Sequence, residues 1–116
     1  PEYAHNPKPF DGAEKMHACA QLSWKSGDYA TSHDVYLGTA YSAVSNANTS
    51  SAEYLGSTAE LACDPGRLHN STTYYWRVDE VNADGSVRGC TWSFSTAPDS
   101  AEFIFSSGFE GGTDGN

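Results

Sequence analysis

Apolar and polar positions alternate most clearly over residues 68–85, LHNSTTYYWRVDEVNADG. Tyr74, Trp76 and Val78 interleave with Tyr75, Arg77 and Asp79. Successive side chains of a strand point to opposite faces. The pattern therefore predicts one long strand with its apolar set on a core and its polar set in water. Asn70-Ser71 supplies a turn before it and Ala83-Asp84-Gly85 one after it. Leu68 followed by Tyr74 predicts a tyrosine corner, the phenol reaching back to backbone a few residues upstream.

The same period recurs elsewhere. Residues 3–12, with two prolines and a closing Asp-Gly, read as one extended strand on a sheet edge, where proline costs no ladder bond. Residues 18–25, ACAQLSWK, place Ala20, Leu22 and Trp24 inward and Cys19, Gln21 and Ser23 outward. In 33–38, HDVYLG, Val35 and Leu37 point in while Asp34 and Tyr36 point out. Residues 41–51 read as a short edge strand and a loop. Residues 53–63 read as one broken or two short strands with Gly56 at the break, and 90–96 as a last strand with Trp92 and Phe94 inward. No segment holds a helical period over the 10–12 or so residues a helix needs. About seven short strands separated by turn residues predict an all-β sandwich over residues 1–97. Residues 98–116 turn Gly-rich and read as a C-terminal extension or linker, in which EFIF extends the last strand or packs on an edge.

Composition narrows the function classes. The 116 residues include three Trp, seven Tyr and five Phe, enough large side chains for one core. Net charge is −9 with only six Lys and Arg, which argues against nucleic acid. No run approaches the roughly 20 apolar residues of a membrane-spanning helix. The chain begins at Pro1 without a signal peptide and reads as an excised module of a larger protein. Cys19, Cys63 and Cys90 lack the paired spacing of a zinc site. His5, His17, His33 and His69 form no HExxH or HxH, and no GxSxG is present, so catalysis is not expected. Adjacent Asp79 and Glu80 face opposite sides of a strand and cannot work as an acid–base pair. Asp28, Asp34, Asp79, Glu80 and Asp84 gather toward one loop end and offer oxygens of the kind Ca²⁺ takes. Without a DxDxDG loop, scattered surface carboxylates are the preferred reading.

In order along the chain, NPKPFDGAE, LSW, SHDVYLGT, TYYWRVDEVNADGS and WSF resemble bacterial fibronectin type III-like modules of secreted polysaccharide-active proteins. The resemblance covers roughly residues 4–97. It implies a seven-stranded immunoglobulin-like sandwich, secretion to the extracellular space, and a covalently linked catalytic domain in the full-length protein. It departs at the three cysteines. In that topology the second and fifth strands are antiparallel neighbours, which brings Cys19 and Cys63 to one end of a sheet and leaves Cys90 free. Alternation points Cys19 out and Cys63 in, an objection that a bulge would remove.

The implied function is a non-catalytic carbohydrate-binding module for an anionic or sulfated polysaccharide. The alternatives are a spacer without ligand and an adhesion module. Two surfaces offer candidates. The water face of the central sheet is expected to show Tyr36, Tyr75 and Arg77, with Thr91 and Ser93 beside them. The loops after the second and sixth strands are expected to bring Lys25, Tyr29, His33 and Arg88 together. For both, the plain alternative is cross-strand pairing or a solvated loop.

Overall fold

The computed structural model describes residues 1–98, which form nine strands and one short helix. The strands are β1 (His5–Lys8), β2 (Ala13–Met16), β3 (Leu22–Lys25), β4 (Ser32–Gly38), β5 (Tyr54–Thr58), β6 (Ala62–Cys63), β7 (Thr73–Asn82), β8 (Gly85–Val87) and β9 (Thr91–Thr96). The helix, α1 (Tyr41–Ser45), lies between β4 and β5. One sheet has the order β1-β3-β6 and the other β2-β9-β7-β4-β5, with β8 folded back on β7. The EFIF segment lies outside the described residues.

The expected first strand is two strands in different sheets. β1 pairs antiparallel with β3, while β2 runs parallel to β9. Pro7 and Pro9 remove two ladder donors from the span between them, so the chain leaves one sheet and joins the other. The second predicted strand is also shorter than expected. It starts at Leu22, and Cys19 falls in the loop before it. In 53–63 the break comes after Thr58 rather than at Gly56, which adopts φ 138° inside β5.

The inward set is as the alternation predicts. Leu37 lies opposite Trp76 and Val35 opposite Val78 in the antiparallel β4–β7 pair. Trp76 lies between Trp24 (centroids 6.2 Å) and Trp92 (4.8 Å), and the three tryptophans share one core with Leu22, Val35, Val78 and Phe94. The tyrosine corner is present: the His69 backbone N–H donates to Tyr74 Oη at 2.8 Å.

At Tyr36, Arg77 and Asp79 the outward set does not face water. Residues 41–51 contain α1 rather than an edge strand, and this connection covers the outer face of β4 and β7. Val44 and Ala47 are buried there with Tyr36. A five-residue helix is too short to leave a period in the sequence.

The expected Cys19–Cys63 disulfide is absent, and all three cysteines are free thiols. The register explains it. Leu22 pairs with Cys63, so Cys19 runs past the end of β6 toward the 64–67 turn. There Arg67 Nη1 approaches Cys19 Sγ at 3.7 Å. Cys63 is partly buried against the core, which raises its thiol pKa, with Asp64 adding to the effect.

Candidate functional site

The expected sheet-face platform is taken apart by burial. Arg77 is 1% exposed and Tyr36 2%. The Arg77 guanidinium donates to both carboxylate oxygens of Asp79 at 2.8 Å and to the carbonyls of Val44, Ser45 and Ala47. Its carbon sits 4.1 Å from the centroid of the Tyr36 ring. Burial raises the Tyr36 phenol above its ordinary value, and Asp79 adds to that. These two residues bind their own chain. Tyr75 is half-buried, with Tyr41 edge-on to it at 5.8 Å. Thr91 and Ser93 remain half-exposed on β9.

The loop-end group is also dispersed. His33 is buried and faces Glu80 across β4 and β7. Lys25 is exposed at the end of β3, opposite His5. Arg88 is exposed between β8 and β9. Among the described residues, Tyr29 is the member of this group that lines the groove between the β3–β4 and β7–β8 connections.

The groove has a volume of about 560 Å³. Its walls are Glu2, Tyr29, Thr31 and the run from Asn82 to Val87. Tyr29 is 85% exposed, with φ 67°. A left-handed backbone on a bulky residue costs on the order of 1–3 kcal/mol and persists only where neighbours enforce it. Here Gly27 N–H donates to Glu80 Oε2 at 2.6 Å, Ala30 N–H to the Gly27 carbonyl, and Thr31 N–H and Oγ to the Val81 carbonyl. Gly27 is required by packing, since a Cβ there would run into the Glu2 carbonyl. On the opposite wall, Asn82 Oδ1 accepts the Asp84 N–H at 2.8 Å and shapes the hairpin turn.

The chemistry of the groove is an open phenol ring, an amide, hydroxyls of Thr31 and Ser86, and the carboxylates of Glu2 and Asp84. No Lys, Arg or His lines it. Of these walls the sequence reading named Tyr29 as a ligand-binding residue and Asp84 among the loop-end carboxylates considered for calcium. The available signal for the rest was the pair of turns, SGDYATS and NADG, that a sandwich places at one end.

The five carboxylates considered for calcium are separately employed or isolated. Asp79 pairs with Arg77, Glu80 with His33 and Gly27, and Asp34 accepts the Tyr54 hydroxyl at 3.1 Å. Asp28 and Asp84 are exposed on different turns. Among the described residues no three His, Cys, Asp or Glu side chains converge on a metal-sized site.

No protein-family model matches the chain, and no curated protein does. A solved structure described as "Structure of FN3tt mut" is similar at TM-score 0.55 and 21% identity, covering 82% of this chain and 98% of that one. At that identity the likeness carries the fold alone. Two facing sheets, the tyrosine corner on β7 and this neighbour together make the architecture a fibronectin type III-like β-sandwich.

Proposed function

We propose that this chain is a non-catalytic carbohydrate-binding module, secreted as part of a larger polysaccharide-active protein, with its site in the Tyr29 groove. The observation that carries the reading is Tyr29 itself, an open aromatic ring held in a left-handed conformation at the lip of a polar groove. Sugars dock their apolar faces on such rings and their hydroxyls on fixed polar groups, here Asn82, Thr31, Ser86 and two carboxylates. Loops at the end of a rigid sandwich are where binding groups concentrate.

The expected preference for an anionic polysaccharide depended on a cluster of cations. Arg77 is committed to Asp79 and the α1 carbonyls, and Lys25 and Arg88 are not among the groove walls. Carboxylates in the groove and a net charge of −9 favour a neutral glycan instead.

The test is affinity electrophoresis against matched neutral and sulfated polysaccharides, with Tyr29→Ala beside the parent. A neutral glycan should retard the parent, and the variant should lose that retardation. Retardation of the parent should also persist as salt rises past the concentrations that screen exposed charges. Retardation only by sulfated chains, abolished by salt and unaffected by Tyr29→Ala, would replace the groove with the Lys25 and Arg88 surfaces. If no polysaccharide retards the parent, the module is a spacer.

A further inference from the structure

We infer that Glu80 is a positioning residue for the groove, acting from inside the sandwich on the turn that carries Tyr29. The inference rests on the groove being the binding site proposed above. On the core face of β7 the sequence of side chains is Trp76, Val78, Glu80, so the carboxylate continues an apolar row. It is 0% exposed. A carboxylate in such a place must be paired and hydrogen-bonded.

Each oxygen has a different task. Oε1 meets Nδ1 of His33, the residue directly opposite in the β4–β7 register. His33 is in turn held by Trp24, edge-on at 5.6 Å. Oε2 accepts the Gly27 N–H at 2.6 Å, with Ser26 Oγ at 3.5 Å. Gly27 stands two residues before Tyr29; between them the Asp28 N–H donates to the Pro1 carbonyl at 2.8 Å, and the Thr31 N–H on Val81 closes the turn. The turn that carries the ring is therefore held by a buried carboxylate at Gly27, by the Pro1 carbonyl at Asp28 and by a strand carbonyl at Thr31, and the first of these is the one supplied by a side chain from inside the sandwich. His33 orients Glu80, Glu80 holds Gly27, and the fixed span from Gly27 to Thr31 leaves Tyr29 pointing outward.

The experiment compares two variants of similar side-chain volume. Glu80→Met keeps the shape and loses both acceptors. Glu80→Gln keeps an oxygen for the Gly27 N–H and a polar amide facing His33 Nδ1. The first readout, amide hydrogen exchange across Gly27–Thr31, needs no ligand. In Glu80→Met these amides should exchange at least about tenfold faster while those of Trp76 and Val78 hold. In Glu80→Gln they should stay near the parent rate. The second readout is retardation by the neutral glycan that retards the parent, lost in Glu80→Met and kept in Glu80→Gln.

Turn amides that exchange at the parent rate in Glu80→Met overturn the inference. So does a Gln variant as loose as the Met variant, or a loosened turn that leaves retardation unchanged. Should Glu80→Met fail to fold, Gly27→Ala lifts the turn from the same hydrogen bond by collision with the Glu2 carbonyl, and the same exchange pattern is expected. A parent retarded by nothing removes the proposed function, while the exchange comparison still decides whether Glu80 sets the turn.

Discussion

Replacing Arg77 by Met should unfold the outer face of the sandwich rather than weaken a ligand. The parent side chain makes five hydrogen bonds between 2.7 and 3.2 Å, two to Asp79 and three to the carbonyls of Val44, Ser45 and Ala47. Two of those carbonyls belong to the last turn of α1, which has no side-chain N-cap and no basic residue of its own. A short helix of this kind is held by what lies beneath it. Met restores much of the volume but leaves Asp79 with only the Gly89 N–H, and it takes the guanidinium donors from all three carbonyls, of which Val44 keeps the Ala47 N–H at 3.2 Å. Breaking a buried ion pair by removing one partner costs ~3–5 kcal/mol. For a domain of this size each kcal/mol is worth roughly 4–8 °C, so the melting temperature should fall by about 12–40 °C.

The cycle with Asp79→Asn separates a pair from two independent residues. Removing both partners leaves no uncompensated charge, so the double variant should lose less than the sum of the singles. Thermal melts of all four proteins, followed by tryptophan fluorescence, supply the numbers. A single variant melting within about 3 °C of the parent, or losses that simply add, would refute the cage as the reason Arg77 is buried.

Trp76→Ala removes the ring between Trp24 and Trp92 and should cost ~3–5 kcal/mol, read as a fall in urea midpoint. Tyr74→Phe keeps the stacked contact with Phe94 and loses the acceptor for the His69 N–H, so it should cost about 0.5–1.5 kcal/mol by the same measurement. Thiol titration of the native protein should count three free cysteines, with exposed Cys19 and Cys90 reacting ahead of Cys63, whose burial keeps it protonated. Cys63, Tyr36 and Tyr54 all have raised folded pKa values, with burial the first cause of each. Above their ordinary values of 9.0 and 10.0 the folded state holds more protons than the unfolded one, so the urea midpoint should fall as pH rises through that range.

The fold was legible because one period of two runs through β4, β7 and β9 without interruption. Trp24, Trp76 and Trp92 needed no structure to be assigned to one core, and Tyr74 gave the corner from its distance to Leu68. What alternation does not report is the cover on the other side of a sheet. Arg77 and Asp79 stand two apart, so they share a face, and Tyr36 is opposite Arg77 in the register. A cation, an anion and an aromatic ring on one face are equally the makings of an open binding platform and of a closed cage. Five residues of helix decided between them, and they carry no period to read. The disulfide failed for a related reason: strand neighbours were right, β3 beside β6, but pairing begins at Leu22 and carries Cys19 beyond it.

The closed cage also leaves the loop end as the surface for the proposed recognition. A sandwich normally has an outer sheet face and two loop ends to offer. Here α1 and its flanks cover much of the β4–β7 face, and the side chains that a charged ligand would have met are spent on holding that cover down. At the loop end near Glu80 the core row finishes in a carboxylate instead of another aliphatic side chain. An aliphatic residue there would have closed the sandwich more simply, since a buried carboxylate costs free energy unless it is paired and hydrogen-bonded. Its retention makes physical sense if the oxygen facing Gly27 has work that a methyl group cannot do. That work is to fix a turn whose one large side chain, Tyr29, is almost entirely in water and in a conformation it would not choose alone.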